Sequence, residues 1–248
     1  MSLLPPPIQS SVNSRNKLNN VFNSNVLKQS VTFVVNSTLS VKLFCIFVFI
    51  GYLFSFKTTS IQYLSVIPGK LLPPNFFLWT LITHSFIEVR IVELMADWFI
   101  ILLYSKMLEP LWGALECIKF YFIITILVAV STAFFYFFAF AFSFQENLLF
   151  NISIHGLGGL LGGFSVAIKQ IMPDTIIFNA SFIRIRQDLL PMILIIFATL
   201  LYLIGFTDLT YLVMLSLGVL IGWIYLRFFQ MHKNGTRGDS SSTFVFAR

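Results

Sequence analysis

The sequence predicts an all-α membrane protein, a bundle of six transmembrane helices, and three observations carry that prediction. Of 248 residues, 57% are hydrophobic and only 10% are charged, with a mean hydropathy of +0.87. A soluble domain averages about 25% charged residues, so this chain could not cover its own surface with polar groups, and an ordinary cytosolic enzyme is excluded. Second, six segments approach the roughly 20 apolar residues that a spanning helix needs. Third, the Lys and Arg residues punctuate the apolar runs unevenly. Thirty Phe and eight Tyr beside two Cys exclude a disordered polymer and a disulfide framework. The net charge of +6 forms no basic stripe with interleaved aromatics, so no nucleic-acid partner is expected; the charge reads as topology.

Residues 1–38 hold Pro5-Pro6-Pro7, many Ser and Asn, and the bases Arg15, Lys17 and Lys28 without any acid. That composition predicts a disordered tail. The first apolar run begins near Val41, too far in for a cleaved signal peptide, so the tail is expected to stay on the mature protein. The membrane domain is expected over 39–230, with spans near 41–56, 91–105, 118–142, 148–168, 189–206 and 209–229; the second is the shortest and most polar. Six spans put both termini on one side. That side collects thirteen of the sixteen Lys and Arg residues, leaving Lys57, Lys70 and Arg90 opposite, so the positive-inside rule makes both termini cytoplasmic. The far-side loop 57–90 contains Pro68-Gly69, Pro73-Pro74, Phe76, Phe77 and Trp79. It is too apolar to float in water and reads as a re-entrant or interfacial loop. Residues 231–248 form a cytoplasmic C-terminal tail. Sequons at Asn36, Asn151, Asn179 and Asn234 lie on the cytoplasmic side or too close to a span, so no glycan is expected.

Polar residues inside apolar spans need partners. Glu93 and Asp97, four apart, share one face of the second span, and an acid at a bilayer centre costs about 2.5–3.5 kcal/mol on insertion scales. His155, on the fourth span as read here, lies at a similar depth, so Asp97 and His155 are expected to hydrogen-bond across the two helices. The simpler reading of Glu93, Asp97 and His155 is a satisfied polar cluster that fixes helix register. The functional alternative, joined by His84, is a proton relay or a metal site. Neither His-x-Glu nor paired Cys spacing supports a metal, and Cys45 and Cys117 read as packing groups. Gly158 and Gly162, Gly159 and Gly163, and on the sixth span Gly218 and Gly222, are spaced four apart. They leave side-chain-free faces for close helix approach, within the bundle or, as a weaker option, in a homo-oligomer. No strand precedes the glycines and no Gly-Lys-Ser follows, which removes a phosphate loop; no cofactor site is found.

The order of these features, with Trp79, Thr83, Phe86 and Glu109, resembles the rhomboid fold. In rhomboid proteases this stretch carries groups that hold the oxyanion. Here Thr80, Glu88, Glu93, Asp97 and Ser105 stand where an Arg, two His, an Asn and a Gly are expected, and carboxylates would repel a developing negative charge. His155 in Ser153-Ile154-His155-Gly156 occupies the nucleophile position, and the register of Gly218-x-x-x-Gly222 puts Leu215 at the base position. The resemblance therefore implies a pseudoprotease with no catalytic residue. Ser153 and Ser216 are hydroxyls out of register.

A closer resemblance is to the transmembrane protein 115 family of Golgi rhomboid-like proteins, from about Ser65 to Arg237-Gly238-Asp239. Its motifs are matched by Pro68-Gly69 through Pro73-Pro74-Asn75-Phe76, Trp79-Thr80, Thr83-His84, Leu108-Glu109-Pro110-Leu111-Trp112-Gly113-Ala114-Leu115-Glu116, Ile154-His155-Gly156, Ala167-Ile168-Lys169-Gln170 and Tyr225-Leu226-Arg227-Phe228. The resemblance implies a non-cleaving Golgi membrane protein that self-associates. It also implies support of Golgi-to-endoplasmic-reticulum retrograde vesicle transport with the conserved oligomeric Golgi tethering complex. Within the most specific run, Pro110 is expected to end the second helix, Trp112 to anchor at the cytoplasmic interface, and Glu109 to cap or pair within the bundle, with Lys106 or Arg227. Two other classes remain open: a hydrolase built on His155 and Asp97, and a small transporter or metal-binding protein whose Glu93, Asp97 and His155 line a hydrated cavity.

Overall fold

The apolar segments fold into helices that bury one another and leave hydrocarbon on their outer faces. The computed structural model describes residues 39–73, 75–171, 176–179, 184–186, 189–231, 235 and 237–239. The tail expected over 1–38 and most of the one expected over 231–248 lie outside the described residues. Helix α1 (Leu39–Ser55) leads into the loop, which holds α2 (Thr58–Leu64), α3 (Pro68–Leu71), α4 (Thr80–Thr83) and a 3-10 turn (His84–Phe86). Then come α5 (Ile91–Trp112), α6 (Ala114–Ser143), α7 (Asn147–Phe150), α8 (Gly158–Ile171), α9 (Leu190–Ile204) and α10 (Leu209–Phe228). Helices α6 and α10, 30 and 20 residues long, are apolar enough to cross a membrane; α9 is a shorter apolar helix. Large apolar side chains stand exposed along α1 (Ile46, Phe47), α6 (Phe134, Phe138) and α9 (Ile196, Leu203). A water-soluble monomer rarely shows so continuous an apolar surface, whereas hydrocarbon accepts it.

At the centre is α8, with ten of its 14 residues buried. It packs most extensively on α10, and also on α6, α9 and α5. Glycine makes that position available. A Cβ on Gly162 would strike the Leu215 carbonyl, one on Gly218 the Gly159 carbonyl, and one on Gly222 would lie 2.7 Å from Gly163 Cα. Gly158 faces Tyr211 of α10, while Gly159 and Gly163 face Val128 and Ile124 of α6. All six seam glycines thus meet other parts of the same chain. Below the seam, Phe164 stacks on Tyr104 with ring centroids 3.4 Å apart and planes within 9°.

Two sequence expectations are corrected. The fourth helix does not run from 148. Residues 147–150 form the separate α7, residues 151–157 are not helical, and α8 starts at Gly158. The cause is tertiary: Ile154 bridges to Val66 of the loop, N–H to carbonyl at 2.8 Å and 3.0 Å in the two directions. Gly156, with φ of +94°, donates its N–H to the His84 carbonyl at 2.9 Å. Second, Pro110 does not end α5, which runs through it to Trp112. A proline removes only its own N–H bond and crowds one carbonyl a turn earlier, which a final turn tolerates. The break falls at Gly113, whose φ of 90° and ψ of 158° are open to glycine alone; its N–H caps the Glu109 carbonyl at 2.9 Å. The loop 57–90, read as re-entrant or interfacial, is folded. Ser65, Val66, Thr80, His84, Ser85, Ile87 and Glu88 are buried, and Thr83 Oγ1 donates to the Leu64 carbonyl at 2.8 Å. Tyr63, Phe76, Leu78 and Trp79 stay exposed.

The connection from α8 to α9 carries a small antiparallel ribbon, β1 (Ile176–Asn179) with β2 (Arg184–Arg186), in register Asn179 to Arg184. At the same end, buried Glu116 accepts from Tyr225 Oη at 2.8 Å and Met231 N at 3.3 Å. Gln170 Nε2 donates to Gln230 at 3.0 Å and Asp239 at 3.2 Å. The first residues of the C-terminal tail are thereby folded back onto α8 and α10. Trp112 packs edge-on against Phe120, centroids 5.4 Å apart.

Candidate functional site

Helix α5 begins after Arg90 and carries Glu93 and Asp97 one turn apart, facing the start of α8. From the other side α9 and α10 approach, and a cavity of about 440 Å³ remains between these helices. Its polar end is formed by Glu88, Arg90, Glu93, Asp97, His155 and Asp208. Its apolar wall comes mainly from α9, with Leu194, Phe197, Ala198 and Leu201, closed below by Leu215. Helix α9 packs on α8 and α10 but not extensively on α5, so the cavity lies at the α5–α9 gap. Phe197, which lines it, is 56% exposed. The cavity therefore opens toward the surface where the other side chains are apolar.

Local structure sets each polar group. Arg90 donates to the Phe206 carbonyl at 2.6 Å and bridges Glu93 at 3.6 Å and Asp208 at 3.7 Å, tying α5 to the α9–α10 turn. These half-exposed pairs are worth about 0–1 kcal/mol each; their role is placement. Glu88, 3% exposed, sits on the loop with its carboxyl on that of Asp97. Gly156 makes room for it, since a Cβ there would lie 2.8 Å from Glu88 Oε1, and Leu157 N–H donates to the same oxygen at 3.3 Å. Burial, then the Asp97 carboxylate, pushes the Glu88 carboxyl well above the ordinary glutamate range. The protonated form of Glu88, the one able to donate to Asp97, is thereby favoured.

The structure brings Glu93, Asp97 and His155 to one cavity, but not in the expected bond. Asp97 pairs with Glu88, its Oδ2 has no partner, and Nδ1 of His155 has none either. The reason is the early end of the helical run: His155 lies on the extended stretch fixed to Val66, not on a helix facing α5. His84 is elsewhere. It is buried in the loop beside a separate small cavity with Ser85 and Thr125, its Nδ1–H donating to the Thr80 carbonyl at 3.1 Å. Burial pushes it down to about 4, so it is neutral at physiological pH. Among the described residues no three His, Cys, Asp or Glu side chains converge as metal ligands.

His155 and Leu215, the positions that the resemblance aligned with a nucleophile and its base, both line this cavity, as does Ser153. An alkyl side chain cannot take a proton, so no nucleophile is activated from position 215. Sequence reasoning placed Glu88 only as a replaced residue and passed over Arg90 and Asp208 as site residues. The available signal was one base and one acid at the far-side ends of different spans.

The family described as eukaryotic integral membrane protein (DUF1751) matches residues 42–248. Transmembrane protein 115 of Mus musculus is 36% identical over 214 residues, covering 86% of this chain and 60% of the relative; its Homo sapiens counterpart matches to the same extent. Rhomboid-like protein 19 of Arabidopsis thaliana is 31% identical over 193 residues, 77% of this chain and 61% of that protein. The chain thus spans about 60% of the length of these relatives, whose names carry no catalytic activity. With the helical fold, the hydrocarbon outer faces and a match over nearly the whole described chain, it belongs to the DUF1751 family of eukaryotic integral membrane proteins.

Proposed function

We propose that this chain is a catalytically inactive, rhomboid-like Golgi membrane protein that supports Golgi-to-endoplasmic-reticulum retrograde transport. It acts as a scaffold or tether-binding factor, with the conserved oligomeric Golgi tethering complex as partner and a second copy of itself as neighbour. The observation that carries the inactive reading is that Leu215, an alkyl group at the expected base position, lines the same cavity as His155. Six crossings, α1, α5, α6, α8, α9 and α10, are supported by their order along the chain and, for all but the central α8, by exposed apolar side chains. The thirteen-to-three split of basic residues supports cytoplasmic termini. The six seam glycines are occupied within the chain, so self-association uses another surface.

The test is the rate at which a Golgi-cycling cargo returns to the endoplasmic reticulum in cells lacking the endogenous relative. Wild type restores the rate, and so does an Asp97→Ala/His155→Ala double mutant that is stable and Golgi-located. Failure of wild type refutes the trafficking role. Failure of the well-located double mutant alone transfers function to the cavity.

A further inference from the structure

The cavity at the α5–α9 gap is built unlike a packing defect. An empty hole between apolar helices is lined by hydrocarbon and stays dry, whereas this one ends in four acids. Arg90, the one fixed cation among its described lining residues, is already engaged by Glu93, Asp208 and the Phe206 carbonyl. Asp97 is 6% exposed, lines the cavity, and has an oxygen without a partner; Glu93 Oε2 and His155 Nδ1 are likewise unpartnered. A buried carboxylate oxygen left unpaired is costly, and the missing partner is a hydrogen-bond donor with positive charge. The apolar wall at the other end, with Phe197 exposed outward, asks for a hydrocarbon chain. A volume of about 440 Å³ falls in the range of about 300–1,000 Å³ typical of small-ligand sites.

We propose that this cavity binds a single-chain lipid amine, its primary ammonium head held by Asp97 and Glu93 and its chain lying along Leu194, Phe197 and Leu201 of α9. Charge complementarity selects the head: among the described lining residues four acids face one arginine, which Glu93 and Asp208 already engage. Fatty acids and phosphate-headed lipids are disfavoured by the same balance. This goes beyond the trafficking role and does not depend on it, because binding is measured on the purified protein.

The experiment uses the full chain in phosphatidylcholine nanodiscs, with octadecylamine and octadecanol as probes matched in length, read by native mass spectrometry and by displacement of a fluorescent long-chain amine. Octadecylamine binds once and saturably, and octadecanol binds at least about tenfold more weakly, as expected for loss of a charge-assisted hydrogen bond. Asp97→Asn lowers amine binding about tenfold or more without changing octadecanol binding. Glu93→Gln, nearer the rim and less demanding of folding, lowers it in the same direction. Ala198→Phe, which fills the apolar wall, removes both. Equal binding of amine and alcohol, unchanged binding in Asp97→Asn with a native melting curve, or retained binding in Ala198→Phe would each overturn the proposal. Displacement of the amine by a lysine-bearing apolar helix at lower concentration than by octadecylamine itself would assign the cavity to a membrane segment of a client and overturn it too.

Discussion

Glu88 is buried against Asp97 and under Leu157, and burial first, then that neighbour, favours its protonated form. The unfolded chain releases that proton near 4.3, the ordinary glutamate value, and the folded chain releases it higher. Between the two values the native state binds more protons than the unfolded state, so stability falls as pH rises through that window. Glu88→Gln retains a donor and cannot ionise; thermal midpoints of the detergent-solubilised protein between pH 5 and 8 should fall less steeply for it than for wild type. Equal slopes would show that Glu88 is not the titrating group. Gly113 gives a second case. Its backbone at φ 90° and ψ 158° strains any other residue by about 1–3 kcal/mol, so Gly113→Ala should lower the thermal midpoint while leaving the site intact. At this scale the sequence was partly legible. A carboxylate in a span announces a need for a partner, and counting residues from the membrane edge brought Asp97 and His155 to one cavity. It could not name Glu88 as the partner, because the loop that carries Glu88 is placed by its bridge to Ile154 and not by any local pattern.

Helices were legible where apolar runs are long and uninterrupted, as in α6 and α10, and least so where glycine and tertiary bridges decide. The apolar residues from Leu148 to Ile154 serve equally as helix or extended chain, and periodicity does not separate short apolar runs. The ribbon of β1 and β2 is two short pieces between helices, below what pattern reading resolves. The glycine spacing, by contrast, announced the seam directly. Gly218→Val should drive α10 off α8, because the added atoms meet the Gly159 carbonyl; overpacking of this kind costs about 1–3 kcal/mol. Leu220→Ala, on the exposed side of the same helix at 47%, should stay within about 0.5 kcal/mol. Similar losses for the two in a thermal-shift series would mean the seam is not the tight contact. Glu116→Ala tests the opposite end of α10: it strands the Tyr225 hydroxyl and should cost about 1–3 kcal/mol, read in the same series.

For the whole molecule, the asymmetry of Lys and Arg makes a sharp topological prediction: epitopes at either terminus react in cells permeabilised only at the plasma membrane, whereas one placed beside Lys70 reacts only after internal membranes are opened. A terminus and the loop reacting together would overturn the six-span arrangement. That the chain is a helical membrane protein was legible because composition alone forces burial in lipid; the expected orientation rests on counted charge and is what the epitope experiment tests. The short central helix adds a consequence for how the protein is made. At about 1.5 Å per residue the 14 residues of α8 reach about 21 Å, short of the roughly 30 Å hydrocarbon layer. If α8 is one of the six proposed crossings, the remaining thickness falls to residues 151–157, whose backbone is held by Val66 and His84. On that arrangement the segment does not satisfy its own backbone and depends on the loop for its partners. Its insertion then depends on the earlier loop, so lesions in 57–90 should surface as failed insertion of α8, far downstream in the chain.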